Sequence, residues 1–87
     1  MTNSKQYNIY NVIGKNIKKY RQKKGYTQRV LAEKLLLSES FIAKLESDTY
    51  QSISIDTLEQ IAIFLGVDIT VFFDKTVIEE KKELVMS

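Results

Sequence analysis

The fold of this 87-residue chain is decided by residues 27–47, which read TQRVLAEKLLLSESFIAKLES. Thr27 and Ser38 stand where helix N-caps are expected, since their side-chain oxygens can accept a hydrogen bond from the first helical turn. The residues that mark the inward faces of the two helices are Leu31, Ala32, Leu35, Ile42 and Leu45. The first helix lasts about eight or nine residues before Ser38, and the second ends near Ser47. The segment therefore predicts two short helices that meet across a tight turn.

A longer helix precedes this pair. Its inward face is marked by apolar residues three or four positions apart: Tyr10, Ile13, Ile17 and Tyr20. This spacing predicts a helix over residues 11–24. Gly25 follows it and suits the left-handed position after a helix end. Residues 1–10 are then an N-terminal extension.

Two further helices are predicted after the pair. Residues 48–53 form a polar loop, after which either Ser54 or Asp56 caps a fourth helix that Gly66 closes. Asp68 opens a short fifth helix, whose inward residues are Val71 and Phe72. Strands fit poorly, so the predicted fold class is all-α: one compact domain of five helices over residues 11–74.

The tail, residues 75–87, is predicted to be a dimerisation element. Between residues 76 and 87 a charged run separates two apolar pairs, Val77 with Ile78 and Leu84 with Val85. The pattern fits either an amphipathic sixth helix or a frayed end.

The composition excludes most catalytic chemistry. The chain has no Cys and no His, which removes thiolate nucleophiles, imidazole bases, disulfides and nearly every zinc or haem site. Carboxylates remain, so composition alone leaves a magnesium site open. Neither a phosphate-loop glycine motif nor a recognisable pair of catalytic acids is present. We therefore expect a protein that is not an enzyme and that uses no metal or cofactor.

Charge is distributed unevenly along the chain. Residues 1–34 carry nine Lys and Arg against one acid, whereas residues 35–87 carry four Lys against ten acids. Such asymmetry suggests a surface that faces a polyanion, although a solvated basic helix face fits equally well. No apolar run approaches the roughly 18 residues of a membrane span. The polar N-terminus also lacks the apolar core of a signal peptide, so we expect a cytoplasmic protein without a membrane partner.

The third helix has a polar outward face made of Glu39, Ser40, Ala43 and Lys44. A helix of this length with one free face fits the major groove of DNA, which is about 12 Å wide. The second helix would then cross the DNA backbone and offer its N-terminal N–H groups and the Gln28 amide to phosphates. Lys23 and Lys24 are the lysines of the first helix nearest to the second, and they are predicted to contact phosphate. A merely solvated polar face is the alternative interpretation.

Three strings in this chain resemble the lambda-repressor-like helix-turn-helix family. They are TQxxLAEKL from residue 27, SxxxIxxLE from residue 38 and ISIxTLxxIAxxLGV from residue 53. The resemblance covers about residues 11–73. The polar loop and the ending VDIxVFF from residue 67 also resemble the small restriction–modification controller proteins, a subgroup of dimeric regulators.

The resemblance implies roles for individual residues. Gln28 would hold phosphate and brace the recognition helix, while Arg21 and Glu46 would form a partly buried ion pair. Glu39, Ser40 and Lys44 fall at positions that reach base edges. The complete set predicted to contact DNA is Thr27, Gln28, Ser38, Glu39, Ser40, Phe41, Lys44, Ser47, Tyr50, Gln51, Lys23 and Lys24.

The chain departs from the family pattern at several positions. Leu36 replaces the glycine of the turn, which must then either strain a non-glycine residue or avoid a positive φ. Asp48 stands where relatives often have glycine, and the loop after it contains no cation. Glu39 is an acid facing the groove, so it either accepts a hydrogen bond from a cytosine amine or is a helix N-terminal charge. Phe41 either packs inward or touches a thymine methyl group.

The resemblance implies a sequence-specific DNA-binding transcriptional regulator. One recognition helix reads only a few base pairs, so we expect a homodimer on two half-sites of double-stranded DNA about 34 Å apart. The residues predicted to form its interface are Ile69, Phe72, Phe73, Val77 and Ile78. The alternative is an antitoxin-type or other interaction module, whose tail binds a protein partner while the helix-turn-helix regulates its own operon.

Overall fold

The computed structural model describes residues 8–78, which form four α-helices and one short 3-10 helix. In chain order these are α1 (Ile9–Lys23), α2 (Gln28–Leu35), α3 (Glu39–Glu46), α4 (Ile55–Leu65) and the 3-10 helix (Ile69–Phe73). No strand occurs among the described residues. The prediction of an all-α fold with five helices in this order is confirmed, the fifth being wound more tightly than an α-helix.

Parts of the predicted extension and tail lie outside the described residues. Ile9 and Tyr10, assigned to the extension, instead belong to α1. The helix starts there because the Asn8 side chain accepts a hydrogen bond from the Asn11 N–H at 3.0 Å. Residues 76–78 are helical, and the remainder of the predicted sixth helix lies beyond the described residues.

Local side-chain caps start the remaining helices. Thr27, Ser38 and Ser54 each accept the backbone N–H three residues ahead, at 3.1, 3.0 and 3.1 Å. At α4 the cap is therefore Ser54, and Asp56 lies within the first turn. Asp68 accepts hydrogen bonds from the hydroxyl and the backbone N–H of Thr70, which hold the pKa of its carboxyl below the ordinary value.

Every described helix contributes to one apolar core. α1 packs against α3, α4 and the 3-10 helix, and α2 packs against α3 and α4. The largest fully buried apolar side chains are Ile17, Leu31, Ile42, Leu45, Leu58, Ile61, Leu65 and Phe72. Phe72 is 0% exposed in the single chain, which confirms its predicted inward position in the fifth helix. The same burial corrects its predicted place in the dimer interface, since this ring is covered by its own subunit.

A buried amide joins α1 to the end of the 3-10 helix. The Asn16 side-chain nitrogen donates to the carbonyls of Val12, Phe72 and Asp74 at 3.1, 3.0 and 2.9 Å. Two of these carbonyls belong to the segment that leaves the core after Phe72. Asn16 thereby supplies partners to the carbonyls of Phe72 and Asp74, and it fixes the course of that segment against α1.

The turn between α2 and α3 strains a non-glycine residue. Leu36 adopts φ 58° and ψ 39°, the left-handed conformation, and closes α2 through N–H bonds from Leu36 and Leu37 to Glu33 and Ala32. This conformation costs an L-residue about 1–2 kcal/mol. The side chain gains no burial in return, being 92% exposed. Of the two alternatives left by the sequence, the structure therefore has the strained turn.

Gly14 lies inside α1 and lets that helix approach α3 closely. A Cβ atom added at this position would overlap the carbonyl oxygen of Leu45, which is backbone and cannot swing aside. The glycine therefore serves packing and does not end a helix. Its absent side chain sets the distance at which α1 and α3 meet.

Replacing this glycine should reverse the usual effect of alanine in a helix. Alanine normally stabilises a helix interior by about 1 kcal/mol relative to glycine. We expect Gly14→Ala to lower the free energy of unfolding by about 1–3 kcal/mol instead, because α1 and α3 must move apart. Urea denaturation measures the change, with Lys18→Ala at an exposed position of the same helix as the control. An alanine variant as stable as the parent would contradict the close approach.

Candidate nucleic-acid interface

The outward face of α3 is free within residues 8–78. Glu39, Ser40 and Lys44 are exposed, whereas Ile42 and Leu45 on the opposite side are buried in the core. Ser38 begins the helix by accepting the Phe41 N–H. The helix is thus held on its apolar side and presents a hydroxyl, an ammonium and a carboxylate to solvent.

Phe41 lies between these two faces. Its side chain is half-buried and packs against the apolar core. This position agrees with the packing alternative, and the ring retains an exposed portion beside the polar face.

A buried ion pair locks α3 against α1. The Arg21 guanidinium donates from Nε and Nη2 to the two carboxylate oxygens of Glu46, each at 2.8 Å. Its Nη1 donates to the Tyr26 carbonyl at 2.7 Å, so the connection between α1 and α2 is held by the same group. Both charged side chains are almost fully covered. Two parallel charge-assisted hydrogen bonds restrict orientation as well as distance.

Gln28 joins this network from the first residue of α2. Its side-chain nitrogen donates to Glu46 at 3.0 Å, and the amide is half-buried. Thr27 directly before it is exposed and uses its hydroxyl oxygen to cap α2. The N-terminus of α2 therefore lies beside the C-terminal end of α3, with its first N–H groups at the edge of the polar face.

The segment after α3 contributes exposed polar groups. The Ser47 hydroxyl donates to the Lys44 carbonyl at 2.8 Å and accepts the Thr49 N–H at 3.0 Å. Tyr50 is 63% exposed, and its ring meets Tyr10 edge-on with centroids 5.6 Å apart. The Gln51 amide donates to the carbonyl of Ser52. These residues continue the polar surface of α3 toward the N-terminal half of α1.

The lysines of α1 are divided between several surfaces. Lys23 is two residues after Arg21, about 200° around the helix, so it lies on the side away from α3. Its ammonium sits 5.2 Å from the centre of the Tyr20 ring, which itself packs against Phe72. Lys24 is exposed at the end of the helix. The structure therefore does not place Lys23 beside the polar face of α3.

A different lysine adjoins that face. The Lys15 ammonium lies 2.9 Å from the Asp48 carboxylate, in the loop that follows α3. Lys15 was not among the lysines predicted from the sequence, because helical spacing alone does not say which side of α1 the loop covers.

The remaining residues of the predicted dimer interface lie at the other end of the domain. Ile69, Val77 and Ile78 are half-buried, and Phe73 is 37% exposed. Ile69 and Phe73 belong to the 3-10 helix, and Val77 and Ile78 belong to the helical turn that follows it. Together they leave apolar surface accessible where the chain leaves the core.

Two kinds of feature are absent from the described part of the chain. Within residues 8–78, no helix combines the length and apolarity needed to cross a membrane. The same range contains no group of three or more acidic side chains arranged to hold a metal ion.

Residues 17–72 match a protein family described as Helix-turn-helix. The HTH-type transcriptional regulator SinR of Bacillus subtilis (strain 168) is 35% identical over 72 residues, which are 83% of this chain and 60% of SinR. The immunity repressor protein of Bacillus phage phi105 is 38% identical over 71 residues, covering 80% of this chain and 49% of the repressor. This chain thus spans about half to three-fifths of the length of these curated relatives.

Solved structures share the arrangement of helices. The crystal structure of SinR in complex with DNA superposes with a TM-score of 0.66 at 35% identity, covering 71% of this chain and 98% of that chain. The wild-type restriction–modification controller protein C.Esp1396I gives a TM-score of 0.67 at 32% identity, covering 90% of this chain and 99% of that chain.

The Arg21–Glu46 pair predicts a non-additive response to mutation. Arg21→Met alone leaves a buried carboxylate without its partner, and we expect it to lower the free energy of unfolding by about 3–5 kcal/mol. Adding Glu46→Leu should restore much of that loss, because no buried charge then remains unpaired. Thermal and urea unfolding of both variants measure the difference. A double variant less stable than Arg21→Met would contradict this account of the pair.

Proposed function

The chain belongs to the helix-turn-helix family, and on that basis we propose that it is a sequence-specific DNA-binding transcriptional regulator. The observation that carries this proposal is the exposed polar face of α3, held rigidly by the buried Arg21–Glu46 pair. The similarity of the chain to transcriptional regulators and to a phage immunity repressor supports repression of transcription as the result of DNA binding. In this proposal the bound protein occludes its operator, and it acts in the cytoplasm, as the sequence leads us to expect.

The dimensions of α3 suit the major groove. Eight helical residues span about 12 Å along the axis, comparable with the width of the groove. Lys44 can donate to the O6 and N7 acceptors of guanine, and Ser40 can donate or accept at either kind of pair. Glu39 accepts from the cytosine N4 amine, which offsets the repulsion between its carboxylate and the phosphates.

Phosphate contacts flank this helix on two sides. At the N-terminus of α2, the free backbone N–H groups and the helix dipole favour an anion beside Thr27 and Gln28. One hydrogen of the Gln28 amide is used by Glu46, which leaves the other to donate to a phosphate oxygen. Beyond α3, Ser47, Tyr50 and Gln51 supply hydroxyl and amide groups. Lys24 adds a charge at the end of α1.

A homodimer gives this short recognition helix sufficient specificity. Two copies related by a twofold axis present two α3 helices to half-sites about 34 Å apart. We assign the interface to Ile69, Phe73, Val77 and Ile78, which lie away from α3 and retain apolar surface. Removing that surface from water favours association.

Selection of random duplex DNA tests the function directly. We expect the protein to enrich a sequence with two symmetric half-sites. Lys44→Ala should weaken binding to it by at least about fivefold, since a good side-chain-to-base contact contributes about 1–3 kcal/mol. Lys34→Ala, at an exposed position of α2, is the matched control. Fluorescence anisotropy at fixed salt gives the affinities. Enrichment of no sequence, or equal affinities for the two variants, would argue against the groove assignment.

The interface has its own test. Phe73→Lys places a charge in the proposed contact without disturbing a fully buried side chain. We therefore expect a weaker dimer, with a dissociation constant about tenfold higher than that of the wild-type protein. Ile63→Lys, at a 66% exposed position on α4, is the control and should leave association unchanged. Sedimentation analysis measures both. The opposite pattern would move the interface to α4.

A further inference from the structure

The loop after α3 carries one charge of its own, and that charge is paired with α1. Residues 47–54 contain Asp48 and no Lys or Arg. The Lys15 ammonium lies 2.9 Å from an Asp48 carboxylate oxygen. The Lys15 side chain is largely covered at 23% exposure, whereas that of Asp48 is 79% exposed. The pair thus joins a largely covered ammonium to a largely exposed carboxylate.

The course of the chain explains how these two residues meet. From the end of α3 the backbone runs along α1 toward the N-terminus of that helix. The successive pairings from α3 onward are Glu46 with Arg21, Asp48 with Lys15 and Tyr50 with Tyr10. Lys15 is therefore placed against the same loop as Ser47, Tyr50 and Gln51.

Resting on the proposed function, we infer that Lys15 is a phosphate-binding residue and that Asp48 is its competitor within the protein. In the free protein the ammonium is engaged by Asp48. When the loop approaches DNA, a backbone phosphate takes the place of the Asp48 carboxylate beside Lys15, and the carboxylate turns to solvent. The loop then contributes a cation to the interface although its own sequence contains none.

Electrostatics favours this exchange in the presence of DNA. An ion pair with one highly exposed partner contributes little to stability, so breaking it is inexpensive. A carboxylate beside a row of phosphates is repelled, while an ammonium there releases condensed counterions. The Lys15 side chain is already largely covered on the side of α1 that meets the loop, so its ammonium is positioned beside the loop before DNA arrives. Asp48 accordingly sets the affinity below the value that a neutral residue at this position would allow.

The inference is tested by a double-mutant cycle on the duplex enriched by the wild-type protein. We expect Asp48→Asn to tighten binding about fivefold. The plot of log affinity against log salt should also become steeper by up to about 0.9. Lys15→Met should weaken binding by a similar factor. In the Lys15→Met background, the increase in log affinity caused by Asp48→Asn should be at most half of the increase seen in the wild-type background.

Controls separate competition from a general charge effect. Glu59→Gln removes an exposed acid from α4 with the same change in net charge, and it should leave the affinity within twofold of wild type. Asp48→Ser repeats the neutral substitution with a smaller side chain, and thermal melting verifies that each variant is folded.

Specific results would overturn the inference. If the Asp48→Asn variant binds DNA no more tightly than the wild-type protein, Asp48 does not compete with phosphate for Lys15. If Asp48→Asn raises the DNA affinity equally in the wild-type and Lys15→Met backgrounds, Asp48 acts only by repelling DNA and not through Lys15. In both cases the wild-type protein still binds its duplex, so the proposed function survives. A wild-type protein that enriches no duplex would refute the proposed function and the inference together.

Discussion

The buried pair of Arg21 and Glu46 is the constraint on which the rest of the structure depends. Each partner lies almost completely out of water, where a charge without a partner would cost several kcal/mol. The two-pronged geometry fixes the rotation of α3 about its axis as well as its distance from α1. Since Tyr26 and Gln28 bond to the same pair, the start of α2 is set at the same time. One cluster of hydrogen bonds therefore orients the three helices around the polar surface.

The rigidity of α3 comes from its surroundings. A helix of eight residues is too short to be stable in water by itself, so its order depends on tertiary packing. Ile42 and Leu45 supply that packing on one side, and Gly14 brings α1 within contact of the α3 backbone. The helix backbone is then already ordered before a ligand binds, so only the exposed side chains of the opposite face must still be ordered.

The departures from the family pattern concentrate around this helix. Leu36 adopts a left-handed backbone conformation that glycine would adopt freely, two residues before the Ser38 cap. Asp48 and Glu39 add negative charge at the two ends of α3, where a DNA-binding surface ordinarily gathers positive charge. Asp48 is paired with Lys15 of α1, while Arg21 of the same helix pairs with Glu46 in the core network. The charge of this surface therefore depends on the ion pairs that α1 forms with α3 and with the loop after it, as well as on the residues of α3 itself.

By itself the sequence determined the helices and their order, because caps and apolar spacing act within about four residues along the chain. Thr27 and Ser38 cap α2 and α3 as those local patterns predict, and the motif strings from residue 27 onward identified the family. Apolar spacing also predicted much of the core, including Leu31, Ile42 and Leu45. Only the tertiary structure decided which charges meet and which of its two predicted roles, core residue or dimer contact, Phe72 has. Phe72 is enclosed by its own subunit, and Lys15 reaches Asp48 across 33 positions of sequence. Long-range packing and pairing follow from how the helices cross, which no local pattern records.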